Sequence, residues 1–287
     1  MSTDNALQKK FYTDGFNRRT FVKAVGATLI APLIKIELAG ASTEQAKMKF
    51  NPEGIKAIVF DTVGTLVQTY GTIVRKGTQF TRARGINVDW NNLLDQWRAE
   101  WRRQVDQVIA GTTPWRSNDV IYRDALDQVL TSYDWGTKLN TIDRDQLTHL
   151  WWELEPWPDT RPGLERLRKR FILSTLSNGS MASLVHIVKQ DNLPFDCILA
   201  AELVQSAKPD PKVYALATRS LDLRPDQILM VAAHKYDLAA AKKFGFSVAF
   251  IPRPLELGPH GKVDLTPENF YDLTEPNLVR LAEVLGT

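Results

Sequence analysis

The chain has 287 residues, of which 44% are hydrophobic and 24% charged, with 16 Gly and 15 Pro. This is the composition of a globular protein of one or two domains, and it excludes collagen-like, low-complexity and disordered chains. The first 41 residues hold six of the 36 Lys and Arg and three of the 33 Asp and Glu, so the remainder has 30 of each sign. Because residues 42–287 have no net charge, we predict no nucleic-acid or anionic-membrane partner for them.

A basic, then apolar, then small-residue segment begins the chain. Residues 17–23 read Asn-Arg-Arg-Thr-Phe-Val-Lys, an apolar run spans 24–34, and Ala-Gly-Ala ends at Ala41. The run is too short for a membrane span of about 20 residues, and the order of zones is typical of an export signal. Its Arg-Arg-x-Phe-x-Lys core resembles a twin-arginine signal. This predicts cleavage after Ala41 and a periplasmic protein with no membrane contact; the alternative is an N-terminal core helix.

Short apolar runs alternate with amphipathic segments through most of the remaining chain. Residues 55–60 form an apolar run that ends in Asp61 and a Thr-Val-Gly-Thr turn, which predicts a buried strand. Further on, the pattern predicts strands at 171–175, 197–200, 228–232 and 247–251, and helices at 181–190, 211–221 and 238–244. This alternation predicts an α/β fold with a doubly wound parallel sheet and ligands at the carboxyl ends of its strands.

The segment 70–157 has no convincing strand and contains all eight tryptophans. Its longest predicted helix has an apolar stripe formed by Leu94, Trp97, Trp101, Val105 and Val108. We therefore predict a helical cap at 70–157, inserted into a core made of 53–69 and 158–287. The tryptophans either pack in the cap core or make the wall of the cleft apolar.

Four polar segments follow predicted strands. They are residues 60–66 with Asp61, 176–180 with Ser177 and Asn178, 208–210 with Lys208, and 231–237 with Asp237. In this order they resemble the four motifs of the haloacid dehalogenase superfamily, and within it the type II, L-2-haloacid dehalogenase group. The resemblance covers residues 53–255, cap included.

The residue types fit nucleophilic chemistry. Asp61, on a turn made tight by Gly64, is a candidate nucleophile, and Thr65 can donate a hydrogen bond to it. Lys208 would keep Asp61 ionised and offset charge in the transition state. Ser177 and Asn178, with N–H groups of their turn, can hold an anionic group of the substrate. Each residue also has an ordinary structural alternative, as a cap, a turn residue or a solvated loop side chain.

Two absences separate this chain from the phosphatases of the superfamily. Val63 stands where those enzymes have a second aspartate that acts as general acid, and Ala233 stands where they have an aspartate that binds magnesium. Asp61 and Asp237 alone offer too few oxygen ligands for a hard cation. A halide leaving group needs no proton, so we predict a metal-free displacement that requires no cofactor.

The resemblance implies further contacts with substrate. Arg98, in a Trp97-Arg98 pair on the cap helix, would receive the halide together with Asn178, although Arg98 can also be a plain solvated residue. Thr62, Val63 and Tyr236 would belong to the substrate site, where the family has an aromatic residue at the position of Val63.

Three further residues, in the third and fourth segments, have more than one interpretation. His234 stands at a position where the family has asparagine, and it contacts either substrate and water or caps the turn. Asp237 positions Lys208 or the hydrolytic water, or it caps a helix that begins at Leu238. Tyr214, six residues after Lys208, is expected to support Lys208 from behind the site, with a core role as the alternative.

The resemblance implies a hydrolase that converts short 2-haloacids to 2-hydroxyacids of inverted configuration through an aspartyl ester. Two alternatives stay open at this point: a phosphatase or phosphonate-cleaving relative that depends on magnesium, and a non-catalytic carboxylate-binding protein on the same fold. Analogy with the family suggests a homodimer as its assembly.

Overall fold

The computed structural model describes residues 50–287, so the predicted export signal lies outside the described residues. Five strands form a parallel sheet in the order β4-β1-β5-β6-β7 and two more form an antiparallel pair, β2 with β3. The strands are β1 (Ala57–Phe60), β2 (Val67–Gln68), β3 (Glu155–Pro156), β4 (Ile172–Thr175), β5 (Ile228–Ala232), β6 (Ser247–Phe250) and β7 (Leu273–Thr274).

The described part of the chain has nine α-helices, and none of them has the length and apolarity needed to cross a membrane. They are α1 (Thr69–Arg82), α2 (Trp90–Ile109), α3 (Asn118–Leu130), α4 (Thr141–Thr148), α5 (Thr160–Leu167), α6 (Met181–Gln190), α7 (Pro211–Leu221), α8 (Lys235–Phe244) and α9 (Leu278–Val284). Short 3-10 turns lie at Pro52–Gly54, Asp134–Lys138, His149–Trp152, Ala201–Val204 and Pro225–Gln227.

Both faces of the parallel sheet are covered by helices. Successive side chains of a strand point to opposite faces; accordingly, Ile58 and Phe60 of β1 pack in one hydrophobic cluster and Val59 packs in another. The first cluster includes residues of α5, α6 and α9, and the second includes residues of α7 and α8. This arrangement confirms the predicted α/β fold with a doubly wound parallel sheet.

The segment from α1 to α4 is helical, and it is joined to the sheet domain at its two ends. The chain leaves through β2 and returns through β3, and these strands pair with Val67 opposite Pro156. Trp90 and Trp97 are at most 1% exposed and pack in the helical core. Their ring N–H groups donate to Thr81 Oγ1 at 3.0 Å and Tyr122 O at 2.7 Å. These two rings therefore support the helices; the cap boundaries at 70 and 157 stay predictions.

Two predicted elements differ from the structure. Residues 197–200 form no regular strand and make two isolated bridges, one to Ser174 of β4 and one to Ser177 just after it. The side chains of Asp196 and Thr175 replace part of the backbone ladder, because they accept from the N–H groups of Leu173 and Leu199. Helix α8 begins at Lys235 rather than at Leu238. Asp237 is consequently inside the first turn, and the interpretation of Asp237 as the helix cap was wrong.

Candidate active site

The carboxyl ends of β1, β4 and β5 meet at one edge of the sheet, where three of the four motif segments follow their strands. Asp61 follows β1 directly, and its N–H donates to Val231 O at 3.0 Å. Gly64 has a φ of +86° and lies so close to Glu256 that an added Cβ would be 2.8 Å from Glu256 Oε1. A side chain at position 64 would therefore be strained and would clash, which explains the glycine.

Both oxygens of Asp61 accept hydrogen bonds. Thr65 Oγ1 donates to Oδ2 at 2.7 Å, and Lys208 Nζ donates to Oδ1 at 3.1 Å. The Thr65 hydroxyl in turn accepts from Ala233 N–H at 2.9 Å, which fixes its direction. Burial by itself raises the pKa of Asp61, but the Lys208 ammonium and the His234 imidazole outweigh burial and hold this pKa well below its usual value. Asp61 is thus an ionised and oriented carboxylate.

Lys208 lies between two carboxylates in the interior. Its ammonium donates to Asp61 and, at 2.6 Å, to Asp237 Oδ2, and the Lys208 side chain is 1% exposed. Burial lowers the pKa of Lys208, but Asp237 and Asp61 outweigh burial and raise it. The two carboxylates therefore favour the charged form of Lys208.

Tyr214 contacts Asp237, not Lys208. Its hydroxyl donates to Asp237 Oδ1 at 2.8 Å, and the residue is fully buried. Tyr214 therefore supports Lys208 through Asp237, whereas its full burial keeps its side chain away from the substrate contacts expected of it. Its role is to hold the carboxylate that holds Lys208.

His234 connects the nucleophile to a residue that the sequence did not reveal. His234 Nδ1 lies 2.9 Å from Asp61 Oδ2, and Nε2 lies 2.9 Å from Glu256 Oε1. Although His234 is the N-cap of α8, its side chain makes no capping bond. Glu256 belongs to no motif; the one signal for it is its place shortly after β6, at the same edge of the sheet.

Ser177 and Asn178 shape the loop after β4. Ser177 Oγ accepts from Gly179 N–H at 3.2 Å, and Asn178 Oδ1 accepts from Lys208 N–H at 2.8 Å. The side-chain amide of Asn118, on α3, donates to the Asn178 carbonyl oxygen. The structure thus shows the turn-forming role of both residues and a contact with the cap; their role in binding an anion stays a prediction.

The remaining residues predicted to bind substrate differ in their exposure to solvent. Thr62 is fully buried, which removes its side chain from the expected substrate contacts. Val63 is half-buried, and the ring of Tyr236 is 37% exposed and 5.7 Å from the His234 ring. Val63 and Tyr236 can therefore line the site, whereas Thr62 supports it.

Arg98 reaches the site from helix α2. Its guanidinium lies 3.8 Å from Glu256 Oε1, and the side chain is 25% exposed. It lines a cavity of about 340 Å³ between the cap and the segment after β6, a volume that suits a small molecule. The cavity is also lined by Tyr70, Asp95, Ala99, Leu257, His260 and Gly261.

A magnesium ion does not fit these side chains. The space between the Asp61 and Asp237 carboxylates is taken by the Lys208 ammonium, and the side chains of Val63 and Ala233 have no oxygen that could bind a cation. Within residues 50–287, no group of three or more His, Cys, Asp and Glu side chains is arranged to hold a metal ion. The charge beside the nucleophile is supplied by the chain itself.

Arg253, which sequence reasoning also missed, fastens the nucleophile loop to the start of α5. Its Nε donates to Thr65 O at 2.8 Å, and its two terminal nitrogens donate to the Asp159 carboxylate at 2.7 and 2.9 Å. Burial raises the pKa of Asp159, but the bonds from Arg253 outweigh burial and lower it. This bidentate pair holds the backbone of Thr65 in place.

We expect Arg253→Ala to lower the free energy of unfolding by about 3 kcal/mol, because it leaves the Asp159 carboxylate buried without its cation. Urea denaturation measures the effect. Arg224→Ala is the control, since the Arg224–Asp226 pair is about two-thirds exposed, and it should leave the stability unchanged. Equal stabilities of the two variants would contradict the role given to Arg253.

Comparisons with known proteins show which family the chain is similar to. Residues 55–245 match the family of haloacid dehalogenase-like hydrolases. The (S)-2-haloacid dehalogenase of Pseudomonas sp. (strain YL) is 31% identical over 69% of this chain and 83% of that protein. The crystal structure of an L-2-haloacid dehalogenase is 36% identical with a TM-score of 0.78, covering 80% of this chain and 98% of that one.

A second solved structure, of a defluorinating L-2-haloacid dehalogenase, is 32% identical with a TM-score of 0.78 and covers 81% of this chain and 96% of its own. The similarity includes the sheet domain and the helical cap, and it spans the four motif segments described above. The chain therefore belongs to the haloacid dehalogenase-like hydrolase family, in the group of the L-2-haloacid dehalogenases.

Proposed function

We propose that the chain converts short 2-haloacids to 2-hydroxyacids by hydrolysis through an ester on Asp61, and that no metal ion or other cofactor takes part. The observation that carries the proposal is the ionised Asp61, held at a strand end by Lys208 and Thr65. Relatives and solved structures named as 2-haloacid dehalogenases support the substrate class.

In the first step an Asp61 oxygen attacks C2 of the substrate from the side opposite the halogen. The C–O bond forms, the halide leaves with the electron pair of the broken bond, and C2 is inverted. Arg98 and Asn178 would receive the halide, and N–H groups of the turn at Ser177 would hold the carboxylate.

In the second step water adds to Cγ of Asp61, and the bond from Cγ to the ester oxygen breaks. The C2–O bond stays intact, so the product keeps the inverted configuration. Each turnover consumes one water and releases one halide and one proton. The charge of Lys208 offsets the negative charge that develops on the carboxyl oxygens.

The test is halide release by the purified protein in EDTA, with L- and D-2-chloropropionate, bromoacetate and fluoroacetate. We expect release from one enantiomer of 2-chloropropionate and from at least one haloacetate, because an in-line attack by a fixed carboxylate accepts one configuration at C2. Chiral analysis of the lactate formed should show inversion. Absence of halide from the whole panel would contradict the proposal.

The same panel separates the other two functions. Magnesium-dependent hydrolysis of phosphate esters, abolished by chelator, would indicate a phosphatase. Binding of carboxylates or halide without turnover would indicate a non-catalytic protein.

We further propose that residues 1–41 are a twin-arginine export signal, supported by Arg18, Arg19, Phe21 and Lys23 and by the apolar run behind them. The full chain expressed in a bacterium should reach the periplasmic fraction with a new N-terminus at Ser42. Replacement of both arginines with lysine should retain it in the cytoplasm, and an unchanged distribution would contradict the proposal.

A further inference from the structure

His234 has a carboxylate on each of its two ring nitrogens, and one of them is the nucleophile. The two distances, to Asp61 Oδ2 and to Glu256 Oε1, are both 2.9 Å. Glu256 is 7% exposed, so the second carboxylate is an interior partner. A nucleophile, an imidazole and an orienting carboxylate in hydrogen-bonded series are the arrangement that controls proton transfer in covalent catalysis.

We propose that His234 is the general base that activates water for hydrolysis of the Asp61 ester, and that Glu256 is the residue that positions it. The inference rests on the proposed function, since it concerns the second half of that reaction. The family pattern has asparagine at this position, which accepts no proton at neutral pH, so the proposal concerns this chain and not the family.

The other groups around Asp61 are committed to other bonds. Lys208 is a charged donor to two carboxylates, and the Asp237 carboxylate accepts from Lys208 and Tyr214 in complete burial. The Thr65 hydroxyl already donates to Asp61 and accepts from a backbone N–H. The His234 side chain is 22% exposed, so it is the ionisable partner of Asp61 that can exchange a proton with solvent.

The charges that face His234 come from several elements. Asp61 after β1 and Glu256 after β6 contact the ring directly; Lys208 lies across Asp61, and Arg98 approaches Glu256 from α2 at 3.8 Å. On its own helix, the Tyr236 ring lies beside it. Burial lowers the pKa of His234, but Glu256 and Asp61 outweigh burial and raise it well above its usual value, so the resting imidazole is charged.

Formation of the ester changes this balance. Asp61 loses its negative charge when its oxygen bonds to C2, so His234 retains only one of its two carboxylate partners and its pKa falls. The imidazolium then releases its Nδ1 proton to solvent, and the neutral ring has a free Nδ1 facing the ester. Alkylation of Asp61 therefore converts His234 from an acid into a base when a base is needed.

The protons of the hydrolysis step balance when His234 acts as the base. Neutral His234 takes a proton from water, and the hydroxide adds to Cγ of Asp61. As the Cγ–O bond to the product breaks, His234 gives this proton to the departing alkoxide, which becomes the 2-hydroxyacid. The Asp61 carboxyl then passes its own proton to Nδ1, which restores the carboxylate and the imidazolium. The one proton released per turnover is the one that left His234 after alkylation.

The decisive variant is His234→Gln, assayed with bromoacetate in a rapid-quench experiment. We expect one equivalent of bromide per enzyme in a first phase, then steady turnover reduced about 10²- to 10⁴-fold. Intact mass should show that the variant accumulates one carboxymethyl group, mapped to Asp61, which a merely structural role would not produce. His186→Gln, at an exposed histidine outside the site, is the matched control and should turn over like the wild type.

Glu256→Gln tests the positioning role in a second variant. Without the Glu256 charge the pKa of His234 in the ester state is lower, so the rise of ester hydrolysis with pH should move to lower pH. The hydrolysis rate at high pH should also fall, because the base is weaker and less well oriented. An unchanged midpoint would overturn the assignment of Glu256.

The other outcomes are equally definite. His234→Gln that turns over at the wild-type rate without an accumulated ester overturns the proposal and leaves the proposed function intact. The proposal is also overturned if the His234→Gln variant folds but does not release even the first equivalent of bromide, because His234 would then act in the first step. Absence of bromide release by the wild type is instead the failure of the proposed function.

Discussion

Asp61→Asn should abolish halide release, with a loss of about 10⁴-fold or more relative to the wild type. An amide has no negative charge and cannot form the ester, while its size and its carbonyl oxygen are kept. Thr65 can still donate to that oxygen, and Lys208 keeps its partner Asp237, 2.6 Å away. The variant should therefore fold, and the loss should be one of chemistry.

The measurement is halide released from the preferred 2-haloacid, followed long enough to detect single turnovers. Circular dichroism checks that the variant is folded. Asp226→Asn is the matched control, because Asp226 is exposed and pairs with the exposed Arg224; it should retain full activity. Halide release by Asp61→Asn at the wild-type rate would remove Asp61 as the nucleophile and the proposed function with it.

Lys208→Met should lower the free energy of unfolding by about 3–5 kcal/mol, the usual cost of removing one partner of a buried ion pair. Methionine fills similar space but leaves the Asp61 and Asp237 carboxylates buried without their shared cation. Halide release should also be lost, since the pKa of Asp61 rises when the Lys208 ammonium no longer opposes the effect of burial.

The stability deficit of Lys208→Met should depend on pH. In the wild type the pKa of Asp61 in the folded protein lies below its pKa in the unfolded chain. The contribution of Asp61 to stability is therefore fully present above the unfolded pKa, and it is lost as the pH falls through the folded pKa. The variant lacks this contribution; the difference between the two proteins should therefore be largest at neutral pH and should narrow below pH ~4.

Denaturant unfolding at several pH values measures this difference. Lys212→Met, at an exposed position in the first turn of α7, just after the segment that holds Lys208, is the matched control and should be neutral. A deficit of Lys208→Met that does not change with pH would contradict the assignment of Lys208 as the cation that keeps Asp61 ionised.

Helices α6 and α7 were predicted from the sequence with their observed ends, because their signals are local. Ser180 begins α6 by accepting a hydrogen bond from Ser183 N–H at 3.0 Å, and Asp210 begins α7 by accepting one from Lys212 N–H at 2.9 Å. N-caps and helical periodicity are written in a few consecutive residues. The predicted parallel sheet was confirmed for the same reason, since its strands are short buried runs.

The expected strand at 197–200 was wrong because strand pairing is not local. Whether that segment forms a ladder depends on the edge it meets, and there the Thr175 hydroxyl accepts from Leu199 N–H at 2.9 Å. The partner of Tyr214 was also decided by the fold: its hydroxyl donates to Asp237, which in turn accepts from Lys208.

By itself, the sequence determined the fold class, the order of the elements and a set of polar residues at strand ends, because hydrophobic periodicity and turn chemistry are properties of neighbouring residues. The tertiary structure decided how the expected charges meet, and it alone showed the contact of His234 with Glu256. Lys208 lies between Asp61 and Asp237, and His234 between Asp61 and Glu256, over sequence separations of 22 to 173 residues. Such pairings depend on how the loops at one sheet edge fold over one another, and burial then makes each pairing strong enough to set a pKa.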